Sequence, residues 1–216
     1  MLHRVSLYGQ VLLDELKINE LIANKGWFGN KYGVQLGAKY IDMLGIDHLD
    51  GQLEYNVVRP YTYSHRDAYA NYTHYNQPLA HPLGANFQEV VALVRYQPMP
   101  KLLLKAKLIA AQTGKDTARV NTAGTLVTYT QNTYGNNPLR PYTDAPNGYG
   151  NTIGQGSPSN ILTLALIASY QLRHNLFIDF TAISRRENNP LPYYQNTMNY
   201  VGVGLRLNAA TRSVDY

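Results

Sequence analysis

Apolar and polar residues alternate with a period of two along eight segments of this chain, a pattern that builds a sheet with one apolar and one polar face. The alternation is clearest where Tyr32, Val34, Leu36, Ala38 and Tyr40 interleave with Lys31, Gly33, Gln35, Gly37 and Lys39. It recurs as Val5, Leu7, Val11 and Leu13 against Arg4, Ser6, Tyr8 and Gln10, and as Leu53, Tyr55 and Val57 against Gln52, Glu54 and Asn56. Leu102, Leu104, Ala106 and Leu108 oppose Leu103, Lys105 and Lys107. Further on, Leu162, Leu164, Leu166, Ala168 and Tyr170 oppose Thr163, Ala165, Ser169 and Gln171, and Val201, Val203, Leu205 and Leu207 oppose Gly202, Gly204 and Arg206. Two segments sort less cleanly: Val90 to Tyr96 is partly apolar on both faces, and Leu176 to Arg185 is sorted mainly by Asp179 and Thr181.

The connections between these segments alternate in length. Long ones cover roughly residues 14–30, 64–86, 112–160 and 187–197; short ones cover about 44–51, Gln97 to Pro100 and Arg173 to Asn175. Short turns at one end and long loops at the other are the habit of an outer-membrane barrel. The expected fold class is therefore all-β: an antiparallel transmembrane β-barrel or part of one, with about eight strands, spanning residues 1–216 as a single unit. Both termini then lie on the short-turn side. Leu12, Leu13, Leu16, Leu21 and Ile22 have partial helical spacing, so a short helix is expected in the first long loop, with Asp14 and Glu15 at its start and Gly26 as its stop. Residues 132–160 are loop by composition, and no linker or tandem repeat divides the chain.

Composition narrows the classes further. Hydrophobic residues make up 44% and charged residues 15%, which excludes disorder driven by high charge. Cysteine is absent, so thiolate metal sites, disulfides and a cysteine nucleophile are excluded. Mean hydropathy is -0.32, and no run of about 18 apolar residues exists to cross a bilayer as a helix. A barrel needs none, because only alternate residues meet lipid. The net charge of +5 is not gathered into a basic run, and no nucleic-acid-binding signature is present. The opening Met1-Leu2-His3-Arg4-Val5 lacks the features of a secretory signal, which leaves a cytoplasmic chain or one whose N-terminal part is missing.

Few residues invite chemistry. His65, His74 and His81 with Asp67 have metal-compatible side chains, but their spacings are irregular and hydrogen bonding within a folded loop accounts for them. A serine with one of these histidines and Asn76 would be the hydrolase reading, yet no Gly-x-Ser-x-Gly elbow exists. Tyr149 to Gly156 only faintly resembles a phosphate-cradling loop, lacking the Lys-Ser/Thr that should follow, and reads as a flexible loop needing glycine torsions. No cofactor, metal or catalytic residue is expected. Tyrosines are the stronger signal. Tyr61, Tyr63, Tyr69, Tyr72 and Tyr75 cluster after the third strand, and Tyr193, Tyr194 and Tyr200 near the eighth. Such rings form girdles at a membrane surface and also stack on sugars.

The run Tyr72 to Asn86 (YTHYNQPLAHPLGAN), the opening Tyr8-Gly9-Gln10 with Asp14-Glu15, and Tyr149-Gly150-Asn151 together resemble the C-terminal part of the Wzi-type capsule assembly proteins, in the form found in Bacteroidetes, where relatives are linked to gliding motility. The resemblance covers most of the chain and is most specific in the Tyr72 to Asn86 loop. It implies a bacterial outer-membrane barrel of about twice this many strands that helps to retain surface polysaccharide on the cell. The N-terminal half expected of that family is absent, which implies the C-terminal fragment of a longer barrel. At the other end Val214 and Tyr216 suit a barrel terminus, while Arg212 breaks the pattern.

The function expected on this basis is non-enzymatic attachment or assembly of capsular polysaccharide, with a porin-like channel or transporter as the alternative; a barrel-embedded hydrolase and a soluble β-sandwich follow. If the apolar face meets lipid, Arg4, Lys39, Arg95, Lys105, Lys107 and Arg206 face the other way, with only Glu54, Glu89 and Asp179 to oppose them. A net positive interior is then expected. Lys39, Arg95, Lys105, Lys107 and Arg206, with Tyr72 and Tyr75, are the candidate polysaccharide contacts; internal salt bridges are the competing use of the same charges. The partners expected are outer-membrane lipid, an acidic surface polysaccharide and the remaining strands of a larger barrel, with no nucleic acid.

Overall fold

A computed structural model describes residues 4–120, 126–129 and 132–208. Met1 to His3 and the terminal Arg212, Val214 and Tyr216 lie outside the described residues. Eight long strands form one antiparallel sheet in simple chain order: β1 (Val5–Glu15), β2 (Lys31–Tyr40), β3 (Leu49–Val58), β4 (Phe87–Met99), β5 (Leu102–Lys115), β6 (Ser157–Arg173), β7 (Leu176–Asn188) and β8 (Asn196–Leu207). Each expected segment is a strand. Ladders join every neighbouring pair, and none joins β8 back to β1, so the sheet is open among the described residues. The long connections are 16–30, 59–86, 116–156 and 189–195, the short ones 41–48, Pro100 with Lys101, and His174 with Asn175. Asn175 takes the left-handed φ of 60° that a two-residue turn favours. β4 runs three residues further than the alternation implies, and Pro98 sits where its register with β5 shifts, a position that tolerates a missing N–H. The chain enters and leaves the sheet at the short-turn side.

Helix α1 (Ile18–Ala23) lies in the first long loop, but its ends differ from expectation. Asp14 and Glu15 belong to the end of β1, where Asp14 accepts the Tyr63 backbone N–H at 3.2 Å and Glu15 pairs with Lys31 at 3.2 Å. Long-range bonds take both carboxylates away from a helix start. The left-handed residue that ends the helix is Asn24, φ 50°, ahead of Gly26.

Register carries the alternation across the whole sheet. Directly paired residues share a face, and the row Leu7, Ala38, Leu53, Ala92, Leu108, Leu164 runs from β1 to β6 in unbroken pairing. Phe180 pairs with Ala168 and Val203, and Ile178 with Tyr170 and Leu205, so β7 and β8 complete the same face. Most of these side chains are uncovered: Leu7 is 74% exposed, Leu164 43% and Leu205 73%. Toward the long loops this face ends in a row of amides, Gln88, Gln112, Asn160 and Asn188, which pair across four strands.

The buried core sits elsewhere. Val58, Tyr63, Ala85 and Phe87 form a small apolar cluster where strands enter the long loops, with Leu12 and Leu83 packed on it. Around it are fully buried polar groups: Lys31, Thr62, Asn86, Thr113, Thr133 and Ser159. The loops thus fold together as a cap at one end of the sheet.

Candidate functional site: the polar face and its loop cap

The face opposite the apolar one carries the charges, and the register puts Lys39, Arg95, Lys105, Lys107 and Arg206 on it, while Arg4 precedes β1 and is in no ladder. Two of its rows are Ser6, Lys39, Gln52, Leu93, Lys107, Ala165, Ile183 and Tyr200, and Asp50, Arg95, Lys105, Ile167, Thr181 and Gly202. The middle of this face also carries Leu93, Ile167 and Ile183; Leu93 on β4 and Ile183 on β7 are why periodicity sorted those two strands less cleanly.

The cations divide into two groups. Arg95 pairs with Asp50 at 3.3 Å, and Arg206 pairs with Asp179 at 2.7 Å while lying 4.3 Å over the Phe177 ring. Those two are internal salt bridges. Lys39 lies 5.5 Å over the Tyr8 ring, and Lys105 and Lys107 are exposed with no ion pair among the described residues. Lys105 stands directly opposite Arg95, a like-charge pair that is unfavourable unless an anion or water screens it. The structure therefore brings together Arg95, Lys105 and Lys107. Lys39 and Arg206 each lie three strands from β5, about 14 Å across the sheet.

Tyr72 and Tyr75 belong to the other end. Tyr72 packs on Tyr63 at 5.9 Å and is 52% exposed; Tyr75 is 88% exposed beside His74. The Tyr63 cluster meets the sheet at Phe87, which pairs with Thr113, eight residues along β5 from Lys105. At ~3.4 Å per residue that separates the tyrosine cluster from Lys105 by roughly 27 Å and from Lys107 by roughly 20 Å. Tyr61 and Tyr63 are buried, with left-handed φ of 67° and 75°, so they are cap residues rather than members of a membrane-facing girdle. Burial raises both phenol pKa values above 10.0.

Asn86 organises the cap. Its Nδ2 lies within 3.2 Å of the carbonyls of Gly114, Tyr134 and Gln155, and its Oδ1 accepts the Gly154 N–H at 2.7 Å. Asn136 does the same for the carbonyls of Leu83 and Ala85 and for Thr113 Oγ1. Asp116 accepts from Thr133, from the Tyr134 N–H and from Arg140. Lys31, fully buried, donates to the Ser64 carbonyl at 2.8 Å and lies 4.4 Å over the Tyr142 ring. Tyr149-Gly150-Asn151 is not loose: Gly150 and Asn151 donate to the carbonyls of Lys25 and Gly26. Gly150, Gly154 and Gly156 do use positive φ, as the glycine-torsion reading expects. Sequence reasoning missed these polar keystones; the only local sign was the density of Asn, Gly and Pro.

A second network lies on the polar face below the cap. Asn56 Nδ2 donates to Glu54 and Glu89, both at 2.9 Å, Tyr8 donates to Glu54 at 2.7 Å, and Gln52 donates to the Tyr8 hydroxyl. His81 Nδ1 accepts the Leu83 N–H, so its Nε2 carries the proton shared with Glu89 at 2.8 Å. His81 also stacks on Phe87, His65 faces Asp14 and Glu15, and His74 packs on Tyr75: the three loop histidines have separate partners. Gly37 is not an empty position, because the Tyr8 ring occupies the space where its Cβ would stand.

No protein-family model matches the chain, and neither the curated proteins nor the solved structures give a match.

Proposed function

We propose that the chain is part of a bacterial outer-membrane β-barrel whose apolar face meets lipid and whose polar face and loop cap take part, without catalysis, in attaching or assembling an acidic surface polysaccharide. The observation that carries the membrane half is the single uncovered apolar face, held in register over eight strands and bounded by amides. On β5 it runs from Leu102 to Ala110. That run is roughly 27 Å along the strand, or about 21 Å when tilted by ~40°, close to the ~25 Å apolar band of outer-membrane barrels. Tyr96 and Tyr170 lie at the short-turn end of this face and Tyr55 at the amide end, the two levels at which aromatic girdles stand.

Among the described residues both edges of the open sheet, β1 and β8, keep unpaired backbone groups, which lipid could not satisfy. They run in opposite directions, so an even number of further strands closes the barrel with antiparallel pairing throughout. Arg95, Lys105 and Lys107 support the polysaccharide half, as cations gathered on the polar face with one acid among them. Replacing Lys105 and Lys107 by Gln in the full-length protein tests it: cell-retained capsule and low-salt polysaccharide binding both fall, and the salt dependence of binding flattens. Unchanged retention and binding in a folded double mutant removes the lysines from this role. Conductance in a planar bilayer without polysaccharide binding replaces the proposal with the channel reading.

A further inference from the structure

Between the polar face of β1–β4 and the loop that covers it lies a cavity of about 220 Å³. Its floor is two rows of the sheet, Gln10, Gln35 and Asn56 above Gly33 and Val58, and its roof is Tyr63, Tyr72 and His81. We infer that this cavity is a subsite for one uncharged sugar ring, an inference that rests on the polysaccharide reading and adds which part of the polymer is held, and where.

Three features select that ligand. First, size: the cavity is below the roughly 300–1,000 Å³ of drug-sized sites, which limits its occupant to one small ring. Second, its polar groups are amides and phenols, and several are unspent. Tyr63 is 5% exposed, yet among the described residues its hydroxyl has no hydrogen-bond partner and lies 3.9 Å from where a Gly33 Cβ would stand. Asn56 uses both Nδ2 hydrogens on Glu54 and Glu89, which leaves its Oδ1 as an acceptor. The Gln10 amide and the Tyr72 hydroxyl are likewise without partners among the described residues. Such a set offers both donors and acceptors to sugar hydroxyls, and the half-exposed Tyr72 ring offers an apolar surface to the C–H face of a pyranose.

Third, charge: no Lys or Arg lines the cavity, while two carboxylates stand beside its floor on Asn56. A sugar acid would be repelled here and drawn instead to Lys105 and Lys107, which lie four to eight residues along β5 from the two floor rows, roughly 14–27 Å at ~3.4 Å per residue. The molecule would thus hold neutral and acidic units of a polymer at separate places.

The test uses the folded full chain in detergent and saturation-transfer NMR with the methyl glycosides of glucose, galactose and N-acetylglucosamine, and with glucuronic acid. At least one neutral glycoside is expected to receive saturation that glucuronic acid does not receive from the cavity. Tyr72→Ala should weaken that binding roughly fivefold, the loss of one ring contact. Gln10→Ala, an exposed change, should weaken it, and Gly33→Val, which fills the floor, should abolish it. Tyr69→Ala, a 98% exposed tyrosine of the same loop that does not line the cavity, should leave it unchanged. Transfer to no neutral glycoside, or transfer that Tyr72→Ala and Gln10→Ala leave intact in protein whose Trp27 fluorescence shows a folded cap, overturns the subsite. If salt-sensitive binding at Lys105 and Lys107 persists in that case, the subsite alone falls; if it too is missing, the polysaccharide reading falls with it.

Discussion

Asn86 is polar and completely buried, whereas Leu164 is aliphatic and 43% exposed, and each is typical of its region. The loop cap keeps Lys31, Thr62, Thr113 and Ser159 out of solvent, while the wall of β1–β8 turns Leu7, Val11, Val201, Val203 and Leu205 toward it. In water that arrangement is upside down: each such aliphatic side chain forgoes roughly 1.5–3 kcal/mol of burial. The two regions thus differ in what each leaves exposed. The cap is stabilised by satisfied hydrogen bonds among distant segments, which work wherever it sits. The wall is held by its backbone ladders, and its apolar side chains gain only from what covers them, which under the proposed function is lipid.

The largest effect is expected at Asn86. Asn86→Ala takes the Asn86 side chain from the carbonyls of Gly114 and Gln155 and from the Gly154 N–H, while the Tyr134 carbonyl keeps Gln155 Nε2, and it puts alanine at a left-handed φ of 56°, so a loss of about 3–5 kcal/mol is expected. Denaturant unfolding in detergent, followed through Trp27 in the cap, measures it. A loss below about 1 kcal/mol would mean that water replaces the side chain and that the cap is not dry.

Next in size is a charge on the wall. Leu164→Arg should cost about 2–4 kcal/mol when the protein is folded in vesicles, while Thr163→Arg, one residue away on the polar face, should cost under about 1 kcal/mol. Equal costs at the two positions would remove the distinction between the faces.

Tyr61 sharpens the cap side. Its hydroxyl donates to the Thr133 carbonyl at 3.0 Å and accepts from Gln155, so Tyr61→Phe should cost about 1–2 kcal/mol. Burial holds the phenol pKa above its ordinary 10.0, so the folded state keeps a proton that the unfolded state releases more readily. Stability from this group is therefore full below about pH 10 and is lost as pH rises through the folded value; Tyr63 acts in the same direction. Alkaline titration of tyrosinate absorbance should show late-ionising phenols, Tyr61 and Tyr63 among them, and Tyr61→Phe should remove one and make the loss of stability shallower. The smallest effect belongs to the polar face itself: Arg95→Gln breaks a largely exposed pair with Asp50 and should change stability by under about 1 kcal/mol.

The sheet was legible because its information is local. Leu162 to Tyr170 shows its facing in nine residues, and the same holds for every strand except β4 and β7, where Leu93 and Ile183 place apolar side chains on the polar face. The loop-length parity gave strand order and termini for the same reason. The cap was not legible because Asn86 meets Gly154 and Gln155 some 68–69 residues away, and Asp116 meets Arg140 across 24. No periodicity marks such partners. Asp14 and Glu15 show how this misleads: locally they suit a helix start, yet Tyr63 and Lys31 claim them. Among the expected contacts, the face of each cation was readable from alternation, but not that Arg95 and Arg206 have acids as partners while Lys105 and Lys107 have none among the described residues.

The central claim is that one face of the sheet meets lipid, and β6 tests it directly. The chain has no cysteine, so single substitutions from Leu162→Cys to Ala168→Cys can each carry a nitroxide label in protein folded into vesicles. Collision with dissolved oxygen should peak at 162, 164, 166 and 168, and collision with a water-soluble nickel chelate at 163, 165 and 167, a period of two with opposite phases. Chelate access at both sets of positions would contradict the account and return the exposed leucines to water.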